Sequence, residues 1–213
     1  MQKDWLQIAH LNIHSLRAHL VDLQHDTRLH TAQIIALTET WLHPNVPKEQ
    51  CHWDGYTMYR LDRKAHLAAG IAIYVSQEVP SVEKTLYTCS DFDMFTLETT
   101  KPLLSLSVLY RTPKSDMGHF MNHISDLFRK ISLSKSNAIV LGDFNINTSD
   151  RIYHKLEETA QQYGFRDCVV TPTHISGSSI DHIFTNIADG DYHSGTTPVY
   201  YSDHRATWIA MKL

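Results

Sequence analysis

The chain has 213 residues, of which 42% are apolar and 20% are charged, a composition that predicts one compact domain and excludes a disordered tail. Its formal net charge of −4 excludes a polycation that coats nucleic acid, so any DNA contact must be local. The three cysteines are far apart, which favours structural cysteines over disulfides or a thiolate zinc site. Because the longest apolar stretch, residues 67–75, is too short to cross a bilayer, we expect a soluble protein with no membrane partner.

The first 40 residues alternate strands with a helix. Residues 6–12 and 33–38 are short apolar runs that predict strands. Ser15 is predicted to begin a helix between them, and three leucines share one face of that helix: Leu16, Leu20 and Leu23. This alternation is typical of a layered α/β domain in which the helix covers one face of a sheet.

The middle of the chain contains strand-like runs separated by turn residues, with no convincing helix. The five runs are residues 56–60, 70–75, 82–87, 92–97 and 103–110. Their β-branched and aromatic content predicts strands. We expect these five strands to pair as one antiparallel meander.

The rest of the chain mixes helices and strands again. Amphipathic runs predict helices over residues 116–131 and 150–163, with Ser115 and Ser149 as caps and Gly164 ending the second. Apolar runs predict three more strands, at residues 137–142, 180–186 and 205–211. Because the two halves are similar and no linker interrupts them, we expect a single domain of two packed sheets, each covered on its outer side by helices.

Polar residues stand at the ends of six of these apolar runs, where a rigid scaffold meets solvent. They are Asn12, Glu39, Tyr110, Asp143 with Asn145, Asp181, and Asp203 with His204. Side chains two apart on a strand point the same way, so Asp143 and Asn145 can face one substrate. The alternative is a strand-to-turn junction whose Asp and Asn bond backbone amides.

A carboxylate next to an imidazole occurs twice near the end of the chain, at Asp181 with His182 and at Asp203 with His204. Such a pair fixes the tautomer of the imidazole and raises its basicity, which suits a histidine that meets a phosphate. With 15 histidines in the chain, chance neighbours are also expected. Glu39 at a strand end suits a magnesium site, but it is equally consistent with a surface glutamate beside Trp41.

Two other histidine pairs have spacings that raise the question of a metal site. His119 and His123 have the helical spacing of zinc ligands but lack the intervening glutamate of a metalloprotease motif. A zinc site at these two histidines is therefore the less favoured hypothesis. His10 and His14 fall on a predicted strand, where four residues span about 13 Å. That separation is too large for both to chelate one ion.

Six segments, taken in order, carry a resemblance to a known family. They are residues 11–16 (LNIHSL), 37–42 (LTETWL), 109–113 (LYRTP), 141–145 (LGDFN), 179–186 (SIDHIFTN) and 201–205 (YSDHR). Together they resemble the endonuclease/exonuclease/phosphatase superfamily, and within it the apurinic-endonuclease-like domain of non-LTR (LINE-type) retrotransposons. The resemblance implies an α/β fold, a four-layer αββα sandwich of two packed, mainly antiparallel sheets (the DNase-I-like fold), with the site at the edge where the sheets meet.

The resemblance also implies a metal site and a hydrolytic site. Glu39 looks like the ligand of Mg²⁺, with Mn²⁺ as a substitute, and Asn12 and Asp203 would complete the metal site. Asn12 would in addition orient the catalytic carboxylate. Asp143 would deprotonate or position the attacking water, and Asn145 would hold that water or a phosphate oxygen. These roles divide charge neutralisation from activation of the nucleophile, as hydrolysis of a phosphodiester requires.

The remaining implied roles concern the phosphate. His204 would donate to the phosphate with support from Asp181 on its other nitrogen, and Tyr110 would contact the phosphate. His14 stands where the cellular repair enzymes of the superfamily have an acidic residue. This difference favours the retroelement branch over efficient repair of abasic sites.

Contacts to DNA are expected from cationic and loop residues near these segments. Arg17, Arg111 and Arg205 each follow one of the polar residues closely, and phosphate contacts need such side chains. Arg60, Arg63 and Lys64 form a further basic cluster, for which an ordinary solvated turn is an equal alternative. Further contacts are expected from Thr173 and His174, in the loop of residues 173–179, and from Ser202. In the retroelement relatives the matching hairpin probes the groove beside the nick.

The function that the resemblance implies is metal-dependent nicking of one strand of double-stranded DNA. The nick would leave a 3′-hydroxyl that primes the reverse transcriptase of the same element, so we expect a nuclear location, and a monomer. The chain would be either an excised domain of a polyprotein or a separately coded nuclease. The alternatives are a phosphatase acting on inositol lipids or other small phosphoesters, and a catalytically silent DNA-targeting module.

Overall fold

The elements of the fold follow the apolar runs of the sequence. The computed structural model describes residues 4–63, 68–134 and 136–213. In chain order the elements are β1 (Trp5–Asn12), α1 (Leu16–His25), β2 (Ile34–Thr38), a 3-10 turn (Lys48–Cys51), β3 (Tyr56–Leu61), β4 (Ile71–Ser76), β5 (Ser81–Thr88), β6 (Phe92–Thr100), β7 (Leu103–Arg111), α2 (Met117–Ser134), β8 (Asn137–Asp143), α3 (Arg151–Gln162), β9 (Arg166–Asp167), β10 (Asp181–Thr185), β11 (Tyr192–Thr197) and β12 (Ala206–Lys212).

The strands form two six-stranded sheets of related topology. Sheet I has the order β11-β12-β1-β2-β4-β3, and sheet II has the order β5-β6-β7-β8-β10-β9. Each sheet contains one parallel pair at its centre, β1 with β2 and β7 with β8. The other neighbours are antiparallel, so the predicted mainly antiparallel sheets are confirmed.

Apolar side chains fill three layers around these sheets. The central layer lies between the sheets and joins residues such as Ile8 and Ile73 of sheet I to Leu106 and Leu141 of sheet II. Outside sheet I, Leu16, Leu20 and Leu23 of α1 pack on the sheet. Outside sheet II, aromatic and aliphatic residues of α2 and α3 do the same, among them Phe120, Phe128 and Leu156. The four-layer αββα sandwich is therefore confirmed.

The predicted five-strand meander is wrong, because its strands divide between the two sheets. β3 and β4 pair with each other, and β4 also pairs with β2 in sheet I, whereas β5, β6 and β7 form a meander in sheet II. The physical reason lies in β4, whose residues 71–75 are all buried. A strand that is apolar on both faces belongs inside a sheet with layers on both sides, and local alternation does not reveal which strands flank it.

The predicted helix caps also need correction. Asp116 caps α2, because its Oδ1 accepts a hydrogen bond of 2.7 Å from the amide of His119, while the hydroxyl of Ser115 accepts one from Arg111. Asp150 precedes α3 in place of Ser149. Ser15 does precede α1 but its side chain makes no capping bond. Gly164, with a φ of 81°, follows α3 as predicted.

The sequence patterns did not predict three elements, namely β9, β11 and the 3-10 turn. β9 has two residues, and the half-exposed β11 contains a run of Ser, Gly and Thr that lacks an apolar face. Among the described residues, no helix combines the length and the apolarity that crossing a membrane requires.

Candidate active site

The polar residues predicted from strand ends gather at one edge of the sandwich. The parallel pair of sheet I places Asn12 opposite Thr38, directly before Glu39. In sheet II the register places Tyr110 opposite Asp143, and Asp143 opposite Asp181. Because both parallel pairs end at this edge, the carboxyl ends of strands β1, β2, β7 and β8 lie together there.

Asn12 joins the two sheets at the centre of the site. Its Nδ2 donates hydrogen bonds of 2.9 Å to Glu39 Oε1 and to Asp143 Oδ2. The nitrogen must face both carboxylates, because the amide oxygen would repel them. The Oδ1 atom accepts instead from the amide of His14 at 3.3 Å. Asn12 thus contacts both carboxylates, and its roles in orienting the catalytic carboxylate and in binding a metal stay predictions.

The backbone around Glu39 adopts conformations that side chains rarely take. Glu39 has a φ of 50° and Trp41 one of 53°, while His14 and Asn145 have φ values of 47° and 49°. Such left-handed conformations in residues with side chains cost energy and collect at functional sites. They turn the Glu39 carboxylate toward Asn12 and toward the indole of Trp41, whose Nε1 donates to Glu39 Oε2 at 3.3 Å.

His14 separates two of the predicted metal ligands. Its Nε2 lies 3.4 Å from Glu39 Oε2, and its Nδ1 lies 3.0 Å from Asp203 Oδ1. Burial would raise the pKa of Asp203, but the charge of His14 and a hydrogen bond from His174 outweigh burial and lower it. Glu39 and Asp203 therefore contact opposite nitrogens of one imidazole, and their roles as metal ligands stay predictions.

Asp181 and His204 form a buried ion pair, with 2.8 Å between Asp181 Oδ2 and His204 Nδ1. Burial works to lower the pKa of His204, but the charge and hydrogen bond of Asp181 outweigh it and raise that pKa to about 9. Burial works to raise the pKa of Asp181, and the charge of His204 lowers it overall. His204 is thus protonated at neutral pH and presents its Nε2–H as a donor.

Asp143 has the opposite character. Its burial, together with the charge of Asp181, raises its pKa to about 7, although His204 and the hydrogen bonds from Asn12 and from the amide of Asn145 work against that rise. A carboxylate that holds a proton near neutral pH is a better base than an exposed one. Ligand atoms of Asp143, Asp181 and His204 lie within 4.8 Å of one another, so a carboxylate that can accept a proton lies next to an imidazole that can donate one.

Arg111 holds the loop that follows β8. Its guanidinium donates to the carbonyl oxygens of Phe144 at 2.7 Å and Asn145 at 2.9 Å, and to the hydroxyl of Ser115 at 2.8 Å. Asn145 returns a hydrogen bond from Nδ2 to the Arg111 carbonyl. Since Arg111 is only 4% exposed, the predicted phosphate contact is wrong, and Arg111 is a positioning residue.

Tyr110 lies beneath the carboxylates. It is buried, and its hydroxyl donates to the carbonyl of Ala68 at 3.3 Å. Burial raises the pKa of Tyr110, and the negative charges of Glu39 and Asp143 raise it further. The phenol is therefore a neutral hydrogen-bond donor at the floor of the site.

Two residues from the last third of the chain that were predicted to bind substrate, Thr173 and Ser202, bond backbone groups instead. Thr173 is fully buried, and its Oγ1 accepts from the amides of Ile180 and Asp181, so its predicted substrate contact is wrong and it positions Asp181. Ser202 donates to the Asn12 carbonyl at 2.7 Å and accepts from the amide of His204.

His174 does reach the site. Its Nε2 lies 3.2 Å from Asp203 Oδ2, and its ring centroid lies 5.0 Å from that of His204. Arg17 and Arg205 are exposed. Among the described arginines predicted to contact phosphate, these two are open to solvent.

The basic cluster at residues 60–64 is largely structural. Arg60 bonds Asp62 and two backbone carbonyls, and Arg63 bonds Asp93 in a buried ion pair. The guanidinium groups of Arg60 and Arg63 are therefore occupied by contacts within the protein, and the predicted phosphate contacts of these two residues are wrong. Lys64 lies outside the described residues.

Adjacent residues of β10 face opposite sides, which separates the predicted pair Asp181 and His182. His182 contacts Asp167 at 2.6 Å and the Ile146 carbonyl at 2.8 Å, so it belongs to the packing outside sheet II. The sequence patterns missed His10, which is buried with Nδ1 3.9 Å from Asp181 Oδ1. Its place on β1, two residues before Asn12, was the available signal, because alternate residues share a face.

Comparison with known proteins identifies the family of the chain. A family model described as the Endonuclease/Exonuclease/phosphatase family matches residues 9–204. The chain belongs to this family. Members of this family are hydrolases that act on phosphodiester bonds, generally with a divalent metal. No sequence among the curated proteins matches the chain.

Solved structures share the fold of this family member over nearly its whole length. The endonuclease domain of TRAS1, described as a telomere-specific non-LTR retrotransposon, superposes with a TM-score of 0.77 at 16% identity and covers 98% of this chain and 99% of its own. The 3′ phosphatase NExo from Neisseria, bound to a product DNA hairpin, gives 0.75 at 15% identity, with 98% and 100% covered. The APE2 catalytic domain of Xenopus laevis gives 0.69 at 17% identity, with 98% and 93% covered.

Proposed function

We propose that this family member is a metal-dependent DNA endonuclease that nicks one strand and leaves a 3′-hydroxyl. The observation that supports this proposal most is the set of hydrogen bonds that joins the two sheets at the edge of the sandwich. One amide, that of Asn12, orients both Glu39 and Asp143, and the Asp181–His204 ion pair lies beside Asp143. A base, a donor and a hard oxygen ligand within one cleft are the parts that hydrolysis of a phosphodiester needs.

The donor set of the site fits a hard divalent ion. Glu39 supplies a carboxylate oxygen whose orientation is fixed by Asn12 and Trp41, and Mg²⁺ typically binds one or two carboxylates and keeps several waters. We propose that Glu39 holds Mg²⁺, or Mn²⁺ in its place, and that the bound ion neutralises charge on the phosphate. Asp203 lies at Nδ1 of His14, whereas Glu39 lies at Nε2. Asp203 would therefore contact such an ion only from the Nδ1 side of His14.

The residues of the chain then divide the chemistry. Asp143 takes a proton from the attacking water, for which its raised pKa suits it. His204 donates its Nε2–H to the phosphate as negative charge develops there, and Asp181 keeps the imidazole protonated. Asn145, held by Arg111, positions the water or a phosphate oxygen. Tyr110, a neutral phenol whose hydroxyl donates to the Ala68 carbonyl here, would contact the phosphate from the floor of the site.

The proposed substrate is double-stranded DNA. Arg17 and Arg205 are exposed near the site and would bind phosphates, while His174 and the loop of residues 173–179 would lie against the groove. The similarity to the TRAS1 domain supports a role in a retrotransposon, in which the 3′-hydroxyl primes the reverse transcriptase of the same element. We further propose a nuclear location and a monomeric single domain, 1–213.

The test is incubation with supercoiled plasmid and Mg²⁺. We expect open circles whose ends a DNA polymerase extends, because extension requires a 3′-hydroxyl. Asp143→Asn should abolish nicking, and Asp126→Asn, which changes an exposed carboxylate on α2, should leave it unchanged. Release of inorganic phosphate without open circles would indicate a phosphatase instead. DNA binding without cleavage, unchanged in Asp143→Asn, would indicate a silent targeting module.

A further inference from the structure

A second cluster of metal-ligating side chains lies outside the candidate active site. The turn between β5 and β6 contributes Cys89 and Asp91, and the first two turns of α2 contribute His119 and His123. The cluster lies on the outer side of sheet II, where Cys89 packs against the apolar layer beneath α2 and α3. It is therefore separated from the cleft between the sheets by the thickness of sheet II.

The contacts within this cluster are as close as those in a metal centre. His119 Nδ1 lies 2.6 Å from Asp91 Oδ2, and ligand atoms of Cys89, Asp91 and His119 all lie within 4.8 Å of one another. His119 Nε2 lies 3.0 Å from His123 Nε2, which in turn lies 3.3 Å from the Tyr87 hydroxyl. Two elements distant in sequence thus present sulfur, nitrogen and oxygen donors to one point.

These donor types select a particular class of ion. Thiolate, imidazole and carboxylate together are the ligands of zinc-class ions, whereas Mg²⁺ and Ca²⁺ prefer oxygen alone. Two ligands of one tetrahedral zinc ion lie about 3.3 Å apart, so the His119–Asp91 contact needs to open by less than about 1 Å. We propose that Cys89, Asp91 and His119 bind one zinc-class divalent ion, with water as the fourth ligand.

His123 has a supporting role in this proposal. When His119 binds the ion through Nδ1, its Nε2 carries the ring proton and donates it to His123 Nε2. Such a contact on the second nitrogen fixes the tautomer and the orientation of a ligating histidine. His123 is therefore a positioning residue, and Tyr87 holds its ring in place by a tilted ring contact and by the hydroxyl contact.

Binding changes the protonation of the cluster in a defined way. The Cys89 thiol loses its proton to solvent and becomes a thiolate, while the ring proton of neutral His119 moves from Nδ1, which binds the ion, to Nε2. Affinity therefore increases with pH. Cys89, Asp91 and His123 are half-buried, and the side chain of His119 is 42% exposed, so an ion can enter. Once bound, it would tie the β5–β6 turn to α2 and raise the melting temperature.

The test is a titration of the full chain with Co²⁺, followed by absorbance. We expect one equivalent of Co²⁺ to produce the thiolate-to-cobalt charge-transfer band. Zn²⁺ should abolish the band by displacing Co²⁺, and excess Mg²⁺ should leave the band unchanged. The band distinguishes this cluster from the one at His174, Asp203 and His204, which contains no sulfur. Cys89→Ser should remove the band, whereas Cys168→Ser, at a half-buried cysteine elsewhere, should retain it.

A second variant protects the test against misfolding of the first. His123→Gln should keep the band and weaken Co²⁺ affinity by about 10- to 100-fold, with the circular dichroism spectrum unchanged. Absence of the band in the wild-type chain at one equivalent would overturn the proposal. A band that persists in Cys89→Ser, or an affinity that His123→Gln does not change, would overturn it as well.

Discussion

At the residue scale, the site depends on one neutral amide placed between two carboxylates. Asn12→Asp keeps the shape of the side chain but replaces the donor with a third carboxylate. The oxygens of Glu39 and Asp143, now 2.9 Å from a donor, would face a like charge and move apart. We expect nicking to fall by about 100-fold or more while the circular dichroism spectrum is retained. A rate within twofold of the wild type would contradict the orienting role of Asn12.

The pH dependence of nicking follows from the two shifted groups. Asp143 must be ionised to accept a proton, so with a pKa raised to about 7 its arm of the profile rises through that pH. His204 must be protonated to donate, so with a pKa raised to about 9 the rate falls above that pH. We expect a bell-shaped profile between these values at fixed Mg²⁺. His204→Gln should lower the rate and remove the alkaline arm, and an alkaline arm that remains would exclude His204 as its source.

The types of the site residues were predictable from the sequence, but their contacts were not. Asn12, Glu39, Asp143, Asp181 and His204 were predicted from strand ends and family segments, and the structure brings all five together. The sequence predicts substrate contacts for Arg111 and Thr173 because a cationic or hydroxyl side chain has the same sequence signal whether it bonds substrate or backbone. Burial decides between these roles, and burial depends on tertiary packing.

At the scale of elements, Arg111 supports the loop that carries Asn145. Arg111→Met keeps most of the side-chain volume but leaves the carbonyls of Phe144 and Asn145 without donors. We expect the free energy of unfolding to fall by about 2 to 4 kcal/mol, as measured in urea. The salt dependence of DNA binding should not change, because Arg111 does not face solvent.

Arg205→Met is the matched control for that variant. Arg205 is exposed, so its replacement should change stability by less than about 0.5 kcal/mol. It should instead reduce the slope of log affinity against log salt by about 1. If Arg111→Met reduced the slope and preserved stability, Arg111 would be a phosphate contact after all.

Gly142 allows β7 and β8 to approach closely just before Asp143. Its φ is 146°, and a Cβ built there would lie 1.8 Å from the Leu109 carbonyl oxygen. We expect Gly142→Ala to lower the free energy of unfolding by about 3 to 5 kcal/mol. Gly55→Ala is the control, because Gly55 has a φ of 82° with nothing within 4 Å of its Cβ, and should cost about 1 kcal/mol. Equal losses would show that backbone conformation alone is responsible.

Apart from β9 and β11, strand ends were predicted to within three residues, whereas strand partners were not. β4 and β5 are neighbours in sequence and lie in different sheets. The pattern of apolar residues reports which faces of a strand are covered, and it carries no information about which strand lies alongside. The caps were missed for a related reason, since Asp116 and Ser115 are both good capping residues and only the geometry of the turn selects one.

At the scale of the whole molecule, the site exists only because two similar sheets pack face to face. Sheet I supplies Asn12 and Glu39 and sheet II supplies Asp143 and Asp181, while His204 comes from the turn that leads into β12. Each sheet supplies some of the site residues, and neither sheet supplies all of them. The residues from both sheets should therefore behave as one catalytic unit.

A double-mutant cycle on the nicking rate tests most directly whether residues from the two sheets act in one reaction. Glu39→Gln and Asp143→Asn should each slow the nicking of supercoiled DNA by about 1,000-fold or more. Because groups that act together are far from additive, the double variant should be about as slow as either single variant. Effects that multiply, or a single variant that retains more than about a tenth of the wild-type rate, would show that the two carboxylates do not serve one reaction.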